Sequence, residues 1–193
     1  MRRNDTLYRM IVTAVLLGVG LVLPLLTGQL QSVGKLLSPL HIPAFICGLT
    51  CGWLWGGVLG LILPVLRMVT FGMPAAPMAW PMAFELCAYG VVTGALYPFL
   101  RCRLGRSTGK QLAAMVIALV AAMVRGRVVG GCAKALLLML GLIPGVPLTF
   151  GAFLTAYFAE TAVGAAVHLV IVPAVVVALE KAKLSPLARM PGA

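Results

Sequence analysis

The sequence predicts an all-α integral membrane protein with six transmembrane helices and cytoplasmic N- and C-termini. Three observations predict it. Of 193 residues, 62% are hydrophobic and 10% charged, whereas a soluble domain is about 45–50% apolar and about 25% charged. Mean hydropathy is +1.08. The basic residues gather beside apolar segments, the arrangement that orients a chain in a bilayer. This length predicts one domain, residues 1–193, and spans of about 20 residues leave room for roughly six or seven. The net charge of +11 therefore points to the lipid bilayer and its anionic headgroups, not to nucleic acid.

A first helix is expected over about 10–26, after Arg2, Arg3 and Arg9. That start is like a signal peptide, but no clear small-residue cleavage site follows, so it reads as a retained span. Thr27–Leu40, with Gln29, Gln31, Ser32, Lys35 and Pro39, reads as a polar loop. His41–Val69 is long for one span and short for two. The Gly52–Gly57 run interrupts it, giving helices over about 41–52 and 56–69 with Trp53 and Trp55 at an interface. Gly72, Pro74, Pro77 and Pro81 make 70–81 an apolar loop. A fourth helix is expected over about 82–100, and Arg101, Arg103, Arg106 and Lys110 then form a loop without an acid. A fifth runs over about 111–140, tilted or kinked near Gly130 and Gly131. After a loop with Pro144 and Pro147, the sixth covers about 151–179, ahead of a basic tail.

Charge sets the expected orientation. With the N-terminus inside, the inner segments hold ten of the fifteen Lys and Arg residues, and the outer loops hold only Lys35. Arg67, Glu85, Arg125, Arg127, Lys134 and Glu160 fall within or at the ends of apolar segments. A charge at the bilayer centre costs about 2.5–3.5 kcal/mol on insertion scales, so each needs a partner or a ligand. In this topology they converge outward of the midplane. Four cations against two acids leave a positive surplus, which predicts a pocket for a small anionic or zwitterionic solute. Arg125 and Arg127 are two apart and point to different sides, with Arg127 favoured for the pocket. Glu85 also has structural readings, at a helix N-terminus or paired with Arg67. His168 reads as a satisfied buried histidine.

Other motifs carry less. Gly105–Lys110 has three residues between its glycines and Gln111 after the lysine, which fails the phosphate-binding loop pattern. Cys47 and Cys51 share a helix face without further metal ligands nearby, and nothing implies disulfides. Catalytic groupings are lacking, so an enzyme is not expected. Ala14 and Gly18 form a small-xxx-small pattern that lets another helix approach closely.

The runs His41-Ile-Pro-Ala-Phe-Ile-Cys-Gly48, Gly60-Leu-Ile-Leu-Pro-Val-Leu-Arg67, Phe71-Gly-Met-Pro74 and Met82-Ala-Phe-Glu-Leu-Cys-Ala-Tyr-Gly90 resemble the substrate-binding S components of energy-coupling factor transporters. The resemblance spans nearly the whole chain and is most specific over 41–97. It implies six helices in a bacterial plasma membrane and a pocket on the outer side for a vitamin or related micronutrient. It also implies a transmembrane T subunit and two ATPases as partners, with ATP used by those partners and no cofactor on this chain. The family's paired alanines that dock the T subunit correspond to Ala14 and Gly18, the glycine being a departure. The nearest branch resembles pantothenate and queuosine-precursor transporters. The substrate-site candidates are His41, Arg67, Glu85, Arg127, Lys134 and Glu160. A self-sufficient small transporter or channel is the alternative, and a membrane enzyme a third.

Overall fold

The computed structural model describes residues 3–27, 38–105, 107–143, 149–155, 158, 161–182 and 184–186. Glu160 and Lys35 lie outside the described residues. Among those described, the chain is helical without strands. Its helices are α1 (Arg3–Thr27), α2 (His41–Cys51), α3 (Trp53–Phe71), α4 (Ala76–Leu104), α5 (Thr108–Met139), α6 (Phe150–Leu154) and α7 (Ala162–Lys181). Of these, α1, α3, α4, α5 and α7 are long and apolar enough to cross a membrane. Val15, Val69 and Val170 are among many large apolar side chains left on the outside, as a lipid-facing surface requires. The chain is an all-α membrane protein.

Several boundaries differ from expectation, each for a local reason. The second expected span is only half a span. With 11 residues, α2 is about 16 Å long, against a hydrocarbon core of about 30 Å. All of its residues but Ile42 are buried. The break after it is a single residue, not the whole 52–57 run: Gly52 has φ 96°, a left-handed conformation open to glycine, and Trp53 already opens α3. The expected loop 70–81 shrinks to 72–75. Gly72 ends α3 at φ 68°, and Pro77 lies in the first turn of α4, where its missing N–H removes no bond. Pro81 is then accommodated inside α4. The helix α5 runs unbroken for 32 residues. Of the sixth expected helix, the described residues include α6, Phe150–Leu154, and α7, Ala162–Lys181, with Thr155 and Phe158 also helical.

Glycines set the closest packing. A Cβ on Gly56 of α3 would lie 2.7 Å from the Gly48 Cα on α2 and 2.8 Å from the Gly90 carbonyl on α4. The three backbones therefore touch, as small residues permit in membranes. A Cβ on Gly60 would meet the Leu86 backbone, and one on Gly94 the backbone at Gly52 and Trp53, so α3 and α4 are antiparallel. Helix α1 flanks them. Arg9 Nη1 donates to the Cys51 carbonyl at 2.5 Å, and Thr13 Oγ1 lies 3.5 Å from Cys47 Sγ. At the same end Tyr8 Oη donates to the Leu184 carbonyl at 3.0 Å, so the two ends of the described chain meet. Near that end, Glu180 of α7 accepts from Tyr97 Oη at 3.1 Å and Arg101 Nη1 at 3.3 Å, tying α7 to α4. The core between these contacts holds Phe45, Leu49, Leu63, Leu86, Met115, Leu119 and Val172.

Candidate functional site

A cavity opens where α2 begins, between α2, α4, α5 and α7. Pairs of residues one turn apart line it, each pair on one helix face. Helix α2 supplies His41 and Phe45, with Ser38 from the preceding turn; α4 supplies Glu85 and Tyr89; α5 supplies Met123 and Arg127. Helix α7 supplies Gly164, Ala165 and His168, with Thr161 just before it. The space measures about 280 Å³, part of it open to solvent.

The polar groups form a chain. Tyr89 Oη donates to Glu85 Oε1, and Arg127 approaches the same phenol. His41 Nε2 lies 3.8 Å from Glu85 Oε1. The other ring nitrogen, Nδ1, is 3.0 Å from the Ser38 carbonyl. A carbonyl only accepts, so Nδ1 carries the hydrogen, and in the neutral ring Nε2 presents a lone pair toward the carboxylate. Arg127 Nη2 makes a long bond of 3.5 Å to the Thr161 carbonyl, and its guanidinium lies 5.3 Å from the Phe158 ring centroid, a cation–π distance. Aromatic rings crowd the same wall. Phe45 and Tyr89 stack at 4.7 Å, and His41 stacks on His168 at 5.7 Å.

Two glycines of α5 make this arrangement possible. A Cβ on Gly126 would collide with the Tyr89 ring, and one on Gly130 would lie 2.9 Å from Glu85 Cβ and 3.0 Å from its Oε2. Four apart on α5, they seat the two α4 side chains that are themselves four apart.

Of the residues nominated from sequence, His41, Glu85 and Arg127 come together here. Arg127 lines the cavity, while Arg125 is exposed. Arg67 does not line it and is not the partner of Glu85. Its Nη1 donates to the Leu21 carbonyl of α1 at 2.6 Å, and its guanidinium lies 5.4 Å from the Phe71 ring centroid. The reason is register: Gly60 is level with Leu86, so Arg67 sits about 10.5 Å farther along α3 and turns toward α1. Lys134 lies two turns beyond Arg127 and is not among the lining residues either. Glu160 lies outside the described residues. Among the described residues, the cavity lining holds one arginine and one carboxylate, Arg127 and Glu85. Ala14 and Gly18 face outward on α1, and a Cβ on Gly18 would meet nothing.

Sequence reasoning missed Phe45, Tyr89, Met123, Thr161 and the cavity position of His168. Two of them had a signal, since Phe45 follows His41 by four residues and Tyr89 follows Glu85 by four.

A family model described as the substrate-specific component of ECF transporters matches residues 8–176. No curated protein and no solved structure matches the chain.

Proposed function

The chain belongs to the substrate-specific components of ECF transporters, and we propose that it captures a small polar micronutrient from outside the cell and delivers it inward with a T subunit and two ATPases. Members of this family work with T and ATPase subunits and a small-molecule substrate. They are transporter components, not enzymes. The observation that carries the reading is the convergence of Arg127, Tyr89, Glu85 and His41 on one cavity in a protein whose exterior is apolar. Polar groups at membrane depth are costly and mark solute sites.

Charge supports the orientation. Arg101 and Arg103 end α4 and Lys110 begins α5, at the end of the bundle away from the cavity. The positive-inside rule puts that end in the cytoplasm of a bacterial cell and the cavity toward the outside. Both termini are then cytoplasmic, in agreement with the Tyr8–Leu184 contact. ATP is used by the partner subunits, and this chain needs no cofactor of its own. The outward face of α1 at Ala14 and Gly18 is the proposed seat of the T subunit, where small residues allow close approach.

The test is uptake into proteoliposomes of the small molecule that copurifies with the chain. It is expected only when the T subunit, the ATPases and ATP are all present. Uptake by the chain alone would overturn the reading in favour of a self-sufficient transporter. Ala14→Trp and Gly18→Trp are expected to abolish coupled uptake while the isolated chain still binds its ligand. Intact uptake with both substitutions places the docking face elsewhere.

A further inference from the structure

We propose that the outer face of α5 seats a transmembrane helix of a second protein, and that this helix carries an aspartate or glutamate that pairs with Arg125 inside the bilayer.

Depth is the first support. Lys110 lies in the first turn of α5, and Arg125 is about 22 Å farther along the helix. In a hydrocarbon core about 30 Å thick, with Lys110 at one boundary, Arg125 lies about 8 Å inside the other. Side chains on a helix lean toward its N-terminus, here the Lys110 end. The guanidinium is therefore carried toward the middle of the bilayer, away from the nearer headgroups.

Exposure is the second. Arg125 and Arg127 are about 200° apart around the helix. Arg127 lines the cavity, and Ala122, Met123, Gly126 and Gly130 are buried within the bundle. Arg125 is exposed, as are Val124, Val128 and Val129 beside it. Among the described residues it has no hydrogen bond, ion pair or ring partner. Arg67, Arg101 and Arg127, on the same kind of apolar helix, each reach an oxygen. A charge at this depth needs a partner, and for Arg125 that partner comes from outside the described fold.

Charge complementarity is the third. A carboxylate answers a guanidinium with two parallel hydrogen bonds. This chain has four acids. Asp5 is in the first turn of α1, Glu85 is in the cavity and Glu180 is bound to Arg101; Glu160 lies outside the described residues. A second copy packed on this face about a twofold axis would set Arg125 near its own equivalent, cation against cation. A lipid phosphate sits at the boundary from which the side chain leans away. A helix of another protein brings the acid at the right depth. Ala121, one turn from Arg125 and half-buried, is small enough to let that helix come close. Helix α1 packs on α2 and α3, and α5 on α4 and α7, so this helix is distinct from one seated at Ala14 and Gly18.

The experiment places the full chain in lipid vesicles containing phosphatidylglycerol and measures resonance energy transfer to synthetic transmembrane helices of leucine and alanine. One peptide carries a single glutamate at the depth of Arg125, a second carries glutamine there, and a third carries the glutamate at the headgroup boundary. The first is expected to associate about tenfold more tightly than the other two, a difference of about 1.4 kcal/mol. Arg125→Leu and Arg125→Gln should erase that preference while the melting temperature of the chain and its ligand affinity stay the same. Equal association of all three peptides with the wild-type chain would overturn the proposal. So would a preference that survives Arg125→Leu, or one that appears only with Glu160→Gln, which would assign the acid to this chain. Transfer between labelled copies of the chain that exceeds transfer to the glutamate peptide, and that Arg125→Leu abolishes, would give the face to a second copy. Phosphatidylglycerol retained in native mass spectrometry by the wild type but not by Arg125→Leu, with no peptide preference, would give it to a lipid headgroup. Either result overturns the pairing with another protein's acid.

Discussion

Helix α4 carries two clusters built from the same three residue types, and they do different things. At one end Arg101 and Tyr97 both donate to Glu180 Oε1, at 3.3 and 3.1 Å. Cation, phenol and carboxylate meet on one carboxylate atom, although the buried Arg101 Nε bonds to nothing among the described residues. In the cavity the phenol of Tyr89 lies against both Arg127 and Glu85, and the carboxylate faces a histidine nitrogen at 3.8 Å. There the charges still have directions in which to bond, and space remains between them. The difference teaches that composition does not make a polar cluster a site. What matters is whether its members converge on one atom or leave donors and acceptors pointing at a common volume.

That comparison can be broken or sharpened. The largest effect is expected where neither cluster is touched. Gly90→Val drives a side chain into the Gly56 backbone, and with three helices in contact nothing can yield. A loss of about 3 kcal/mol or more of stability is expected, read as loss of folded protein in detergent; a stable variant would show that the seam is looser than described. Next is Glu180→Gln, which leaves Arg101 with a neutral partner. We expect a cost of about 2–3 kcal/mol in thermal unfolding, with ligand affinity of the folded fraction unchanged. An equal loss of affinity would mean that the two clusters are coupled and the contrast fails. Glu85→Gln should do the reverse, lowering affinity about tenfold, or about 1.4 kcal/mol, with little change in melting temperature. Gly130→Ala presses on the same carboxylate from α5 and should move affinity in the same direction. The smallest effect is expected for Gly18→Ala on the outward face of α1. It should stabilise the helix by about 0.5–1 kcal/mol and leave binding alone; a loss of stability would mean that Gly18 is packed.

The apolar blocks were legible because length and hydropathy alone set what can cross a membrane. The half-length of α2 was not, since hydropathy runs on through Gly52 and one glycine conformation divides it. Pro77 and Pro81 read as breakers, yet Pro77 sits in a helical first turn where proline costs nothing. In the cavity, charge was the readable signal. Glu85 and Arg127 stood out because an ion in an apolar segment is expensive. Arg67 stood out for the same reason, but a sequence displays the expense without showing that the Leu21 carbonyl of a neighbouring helix relieves it. Phe45 and Tyr89 gave no such signal, because an aromatic residue in a membrane segment is ordinary.

The shortness of α2 also bears on how the protein is made. Eleven residues fall below the length that a membrane-insertion machine can retain as an independent span. The glycine surfaces that receive this helix belong to α3 and α4, which leave the ribosome after it. Its burial is therefore an act of folding inside the bilayer that follows insertion, as helix association does in two-stage assembly. Since α2 carries His41 and Phe45, the cavity does not exist in the nascent chain until α4 has emerged, and it is completed only when α7 arrives.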